Sequence, residues 1–147
     1  MAEDHTPLTV KDLRILRNLQ VMAQDVAPVK TARMAAAVAI RGQVLALGNN
    51  QLKSHPWHKR FRKNDDALFW HAETHCIHNF LRKHDLHLLP RATLYVVRLK
   101  HVNSLTKQLE LGMARPCKGC MGCIEDFGIP RIVYSNREGG FTCEQSE

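Results

Sequence analysis

Two short stretches of the 147-residue chain place ligand and acid–base side chains at usable spacing: His71-Ala72-Glu73 and Pro116-Cys117-Lys118-Gly119-Cys120. A Cys-x-x-Cys at a helix start can turn both sulfurs to one tetrahedral ion, and a histidine from a second helix completes a Cys₂His set. Three protein ligands leave the fourth position to water, which is the arrangement of a catalytic zinc and not of a closed structural one. Glu73, two residues after the histidine on an opening helical turn, is badly placed to bind the same ion. It can instead take a proton from the water and hand it on. His71, Cys117 and Cys120 are therefore the candidate zinc ligands, and Glu73 the candidate acid–base residue.

Competing chemistries fit less well. Cys123 continues the spacing Cys117, Cys120, Cys123, but a bacterial ferredoxin run needs a fourth Cys at 127 followed by Pro, and the chain has Phe127 and Gly128. Cys123 is expected as a buried thiol one turn past the site, and Cys76 and Cys143 take no role. His71, His75 and His78 share one helical face, yet a zincin motif needs Glu directly after the first His, where Ala72 stands. His75 and His78 are read as packing or hydrogen-bonded histidines. Trp57, Phe61, Phe69 and Trp70 are read as core or loop anchors. A basic domain with Cys-x-x-Cys and His could also be a non-catalytic, zinc-stabilised nucleic-acid binding module. That reading needs a fourth protein ligand, from Cys123 or His75.

The elements that must position these residues alternate. Thr9 is a candidate N-cap for a helix from about Val10 to Val26, with Val10, Leu13, Leu16, Leu19 (or Ile15) and Met22 as its apolar stripe and Pro28 beyond its end. Ala32 to Ile40 and Gln43 to Leu47 flank Arg41-Gly42 and read as a hairpin. A second helix is expected from near Trp70 to about His84, a strand at Thr93 to Leu99, a short helix at Lys118 to Phe127 closed by Gly128, and a strand at Ile132 to Ser135. Residues 101–115 are polar and mixed, and their form is not fixed by the pattern. No repeat, low-complexity stretch or linker divides the chain, so one domain spans 1–147, with its core at about 32–135.

Composition bounds the rest. With 21 Lys+Arg against 14 Asp+Glu the net charge is +7, and 44% of residues are apolar. A chain of this length and composition can bury an ordinary core without disulfides. The longest apolar run, Met34 to Ile40, is far shorter than the roughly 20 residues of a membrane span, so it reads as a buried strand and no membrane partner is expected. The N-terminus has no basic n-region or apolar h-region, which predicts a reducing cytoplasm with the cysteines as thiols or metal ligands. The positive surplus lies between residues 31 and 100. There, Gln51 to Lys63 carries Lys53, Lys59, Arg60, Arg62 and Lys63 with no acidic residue. Such a block is a solvated loop or a phosphate-binding one, and five cations in 13 residues suit a nucleotide 5′-phosphate or a polynucleotide. A compact chain without basic tails favours the mononucleotide.

The order H-x-E, then P-C-x-x-C, is the signature of zinc nucleobase deaminases. At these residues the chain resembles the cytidine and deoxycytidylate deaminase superfamily, which also holds the tRNA adenosine deaminases and the polynucleotide cytidine deaminases. The resemblance runs from about Ala32 to Ser135. It includes Phe127-Gly128-Ile129-Pro130-Arg131-Ile132-Val133-Tyr134, similar to the family's Gly-Ile-x-Arg-Val-Val-Tyr strand entry, and Asn50 after Leu47-Gly48-Asn49. It implies a three-layer α/β/α cytidine-deaminase-like domain with a mixed sheet of four to five strands, and zinc on His71, Cys117 and Cys120. It further implies Glu73 as proton shuttle, the Ala72 N–H against the base carbonyl, Asn50 on the nucleotide, and a homo-oligomer. Lys59, Arg60 and Arg62 are the candidate phosphate contacts. The implied reaction is hydrolytic deamination of a cytosine nucleotide or nucleoside, deoxycytidylate-like, with cytosine or adenine in a polynucleotide as the alternative substrate. Two departures stand out. About 16 residues (Lys100 to Arg115) precede Pro116, where nucleotide deaminases enter the motif directly from the strand. The chain also ends soon after its last clear strand, so the sheet is either truncated or completed by the segment from Gly140 to Glu144.

Overall fold

The computed structural model describes residues 1–29, 32–51, 70–102, 105 and 108–146. The basic segment with Lys59, Arg60 and Arg62, and the aromatic residues Trp57, Phe61 and Phe69, lie outside the described residues. In chain order the elements are β1 (Ala2–Asp4), α1 (Val10–Gln24), β2 (Arg33–Ile40), β3 (Gln43–Asn49), α2 (Ala72–Leu81), β4 (Thr93–His101), β5 (Leu109–Gly112), α3 (Lys118–Asp126), β6 (Arg131–Ser135) and β7 (Phe141–Gln145).

These strands form one mixed sheet of seven, in the order β1-β7-β6-β4-β2-β3, with β5 also paired to β4. Only the β4–β6 pairing among them is parallel, reached through α3. The sequence reading of four to five strands is too low. The extra strands are β5 within the polar segment 101–115 and β1 at the N-terminus, both short and without the apolar alternation that marks a strand. The segment from Gly140 onward does complete the sheet, as β7, antiparallel to β6 and in turn paired with β1.

β2 explains the layering. Its run Met34 to Ile40 sits between β3 and β4 and is covered on both faces, which is why it is continuously apolar. Ala35, Ala37 and Ala39, with Tyr95, Val97 and Val133, pack beneath Ile15, Leu16 and Leu19 of α1. Ala36 and Val38, with Leu94, Val96 and Ile132, pack on the opposite face under Cys76, Ile77 and Phe80 of α2 and Cys123 and Ile124 of α3. The small β2 side chains let both helix layers approach closely. The β2–β3 turn is as expected: Arg41 and Gly42 both have positive φ, 55° and 77°, the backbone a two-residue hairpin turn requires.

α1 begins as predicted. Thr9 accepts from the Asp12 N–H at 3.1 Å, and Asp12 accepts from the Thr9 N–H at 2.9 Å, a reciprocal cap. Its buried stripe is rotated from the expected one: Asp12, Ile15, Leu16, Leu19 and Ala23 face inward while Val10 is 81% exposed. The turn is rotated by Asp12, whose carboxylate takes both Arg131 nitrogens (3.0 and 2.9 Å) and the Tyr95 hydroxyl. Burial alone would raise this carboxyl, but the hydrogen bonds from Arg131, Tyr95 and Thr9 hold it well below the usual carboxylate range.

Candidate metal centre and cleft

Both halves of the motif sit on helix N-termini. His71 is the N-cap of α2 and Glu73 its second residue; Cys117 is the N-cap of α3 and Cys120 its third residue. A side chain at the N-cap normally reaches back over the third residue, so Cys-x-x-Cys at these positions puts both sulfurs on one side of the helix. The Cys117 and Cys120 sulfurs lie 3.5 and 3.3 Å from His71 Nδ1. All three donor atoms fall within 4.8 Å of one another, compatible with ligand distances of roughly 2.0–2.3 Å to one zinc. The positive ends of two helix dipoles favour anionic sulfur there. A hydrogen bond from Cys120, with the His71 ring assisting, holds the Cys117 thiol down to about 3 against the effect of burial. Cys120, donating to Cys117 and buried, is raised. A soft donor set of two sulfurs and one imidazole, with a thiolate already favoured, suits zinc.

α2 is fixed by its contact with β3. Gly48 lies directly under it, with no room for a Cβ against Cys76 N and the Ala72 carbonyl. Gln51 N–H donates to the Trp70 carbonyl at 2.9 Å, which ties the residue after Asn50 to the residue before His71. α3 is fixed by the segment that no pattern resolved. β5 turns back along β4, the Ala114 N–H reaches the Ser135 carbonyl at 2.9 Å, and Arg115 pairs with Glu144 at 2.8 and 3.2 Å. The next two residues are Pro116 and Cys117.

A cleft of about 260 Å³ opens over this site, lined among others by Asn50, His71, Glu73, Cys117, Arg98 and Arg115. Glu73 is 2% exposed, its Oε1 has no hydrogen-bond partner, and burial pushes its carboxyl up despite the nearby His71. Asn50 is buried at the cleft with its amide engaged: Oδ1 accepts from Met34 N–H at 2.9 Å and Nδ2 donates to the Ala32 carbonyl at 3.1 Å. It braces the cleft wall, and Nδ2 keeps a second N–H. Ala72, fully buried, is the first residue of α2, and its N–H is among those an α-helix leaves without an internal acceptor.

The remaining candidates take structural places. Cys123 is buried in the core and pushed up to about 12 by burial. His75 Nδ1 accepts from the Asn49 N–H at 3.1 Å, and Trp70, 7% exposed, stands edge-on to His75 and His78. α2 is shorter than expected because Trp70 bridges to Gln51 and His71 caps the helix. Two cleft residues were missed by motif reading, Arg98 and Arg115. The signals for them are slight: a charge in the apolar strand Thr93 to Leu99, and a cation directly before Pro116. No helix among the described residues is long and apolar enough to cross a membrane.

A three-layer α/β/α domain with a His/Cys/Cys cluster at two helix N-termini and a buried carboxylate beside it defines a zinc-dependent deaminase class. The family model for the cytidine and deoxycytidylate deaminase zinc-binding region matches residues 9–136, and the chain belongs to this family. A cytidine deaminase from Burkholderia pseudomallei shares its fold, with a TM-score of 0.61 and 17% identity over 94% of this chain and 93% of that one. The dCMP deaminase of cyanophage S-TIM5 aligns in its apo form with a TM-score of 0.57 and 17% identity, covering 89% and 86%. In complex with dCMP and dUMP the phage enzyme aligns with a TM-score of 0.54 and 16% identity, covering 90% and 85%. No curated protein sequence matches at a significant level.

Proposed function

We propose that the protein hydrolytically deaminates a small cytosine compound, a nucleotide or nucleoside, to the uracil form with release of ammonia. The observation that carries this reading is the buried, unpartnered Glu73 oxygen in a cleft shared with His71 and Cys117. A fully coordinated structural site has no use for such a carboxylate, one oxygen of which is buried without a partner at a cost of about 1–3 kcal/mol.

His71, Cys117 and Cys120 hold the zinc, which when bound acts as a Lewis acid and lowers the pKa of a coordinated water toward neutrality. Glu73 accepts the proton of the water that attacks C4 of the ring. It delivers that proton to N3, then takes the proton of the new C4 hydroxyl and passes it to the amine as the C4–N bond breaks, so water and the cytosine ring become the uracil ring and ammonia. The Ala72 N–H at the start of α2 donates to the base carbonyl, and Asn50 presents its remaining N–H to the nucleoside. The positive end of α2 steadies the charge that Glu73 carries between transfers.

The test is ammonia release by the zinc-loaded protein against cytidine, deoxycytidine, their mono- and triphosphates, free cytosine, guanine, single-stranded DNA and tRNA. Turnover of a cytosine nucleoside or mononucleotide is expected. Turnover confined to DNA or tRNA, or no turnover by protein with a full equivalent of zinc, would overturn the reading.

A further inference from the structure

β7 brings one charged side chain into the layer that holds α3. Along the strand the side chains alternate: Cys143 joins Val133 beneath α1, and Glu144 falls on the other face, opposite Ile132 of β6. Glu144 is buried there, and its carboxylate accepts from Arg115 Nε at 2.8 Å, Arg115 Nη2 at 3.2 Å and the Tyr134 hydroxyl at 2.6 Å. Burial would raise this carboxyl, but the hydrogen bonds from Arg115 and Tyr134 hold it below the usual carboxylate range.

Such a pair is a poor device for stability alone, because desolvating the carboxylate is costly and apolar side chains of similar volume often serve as well. What a bidentate pair supplies is a fixed direction. We infer that Glu144 is a positioning residue for the metal centre: it locks Arg115, Arg115 sets where Cys117 stands, and zinc binding by His71, Cys117 and Cys120 is tighter for it. The inference rests on that ligand set and not on the identity of the substrate.

The chain between β5 and α3 explains why a side-chain lock is needed. Ala114 is tied to the Ser135 carbonyl through its N–H, but among the described residues no main-chain hydrogen bond reaches Arg115 or Pro116. Pro116 has no N–H to offer, and its fixed φ carries the orientation of Arg115 on to Cys117. Cys117 is the N-cap of α3, half-buried, while Cys120 is buried within the helix. The Cys120 sulfur is therefore placed by the helix itself, and the Cys117 sulfur by the incoming chain. Zinc tolerates an error of only about 0.2 Å in each ligand distance, so slack at Arg115 reaches the metal directly.

The experiment measures three quantities on the full chain: zinc Kd by competition with a chromogenic chelator, the visible spectrum of the cobalt(II)-substituted protein, which reports ligand geometry, and Tm. Glu144→Gln should raise the zinc Kd roughly 10- to 100-fold, the range for losing a group that supports a metal ligand, and should shift the cobalt bands. Glu144→Asp, with the charge but a shorter reach, and Arg115→Lys, with the charge but no fork, should each weaken zinc less. These two carry the test if Glu144→Gln does not fold. Asp12→Asn is the control, because it breaks a second buried carboxylate–arginine pair, with Arg131 on the α1 side of the sheet. It should lower Tm and leave the zinc Kd and cobalt spectrum parental. Parental zinc affinity and cobalt spectrum in the Glu144 and Arg115 variants would overturn the inference. So would an equal rise in Kd in Asp12→Asn at a matched loss of Tm. Cys117→Ser separates the two readings: undiminished zinc affinity there would remove the ligand set and the inference with it. Loss of zinc in Cys117→Ser beside parental affinity in the Glu144 variants would remove the positioning role alone.

Discussion

Gly48→Ala tests whether the site is as rigidly mounted as the packing indicates. A Cβ on Gly48 would lie 2.4 Å from Cys76 N and 2.7 Å from both the Ala72 carbonyl oxygen and Cys76 Cα. All three are α2 backbone atoms, so no side chain can swing away. Restoring ordinary contact, from 3.4 Å outward, requires α2 to retreat from β3 by about 1 Å. Overpacking of this kind costs roughly 1–3 kcal/mol, set against about 0.4–1 kcal/mol regained by restricting the unfolded chain. At about 2–4 °C per kcal/mol in a domain of this size, Tm should fall by up to roughly 10 °C. The catalytic loss should be larger in proportion. His71 and Glu73 move with α2 while Cys117 and Cys120 stay on α3, and a misplacement near 1 Å can cost about 10²-fold. Calorimetric melting, zinc content and kcat on the best substrate measure the three effects. A Gly48→Ala protein that melts with the parent and turns over at the parental rate would refute this account of how α2 is held.

Glu73→Gln should keep the fold and a full equivalent of zinc while lowering kcat by about 10²–10⁴-fold; undiminished turnover would remove Glu73 from proton transfer. Cys117→Ser and Cys120→Ser should each lose stoichiometric zinc by elemental analysis, and a variant that keeps it would point to another ligand set. Asp12→Asn should lower Tm most at neutral pH. The Asp12 carboxyl is depressed in the fold, so its stabilising charge is fully present above the unfolded value of about 3.9 and fades as pH falls toward the folded value. The gap in Tm between parent and variant should therefore narrow below about pH 4, and melting curves that stay parallel with pH would contradict it.

What the sequence made legible was local or strongly patterned. The Thr9 cap, the Arg41-Gly42 turn, the buried Met34 to Ile40 strand and the Cys-x-x-Cys at a helix start each depend on residues within one or two turns of each other. β5 and β1 were not legible, because each is only three or four residues long and its strand character comes from the partner it pairs with. The α1 stripe was misjudged for a related reason. Asp12 reads as a surface residue until Arg131, 119 positions later, supplies its charge partner. Asn50 lies at the cleft, but its commitment to the backbone of Ala32 and Met34 belongs to tertiary structure. The cleft arginines fall in the same class, since neither carries a motif and both are defined by what surrounds them.

The C-terminal strand shows how such non-local contacts reach the chemistry. From sequence the question was only whether the sheet lacked a final strand. In the fold, β7 binds β6 on one side and β1 on the other, joining the two ends of the chain. Its Glu144 grips Arg115, two residues before Cys117, and the adjoining Ala114 is tied to Ser135 at the end of β6. The entry to α3 is thus fixed by β6 and β7, and the entry to α2 by β3 through Gly48. Both ligand-bearing helices lie on one face of the sheet, but the strands that fix their entries flank β4 and β2 from either edge, so their meeting depends on the width and twist of the strands between them. Local spacing can nominate the ligands, but the distance between His71 and the cysteines is a property of the whole sheet.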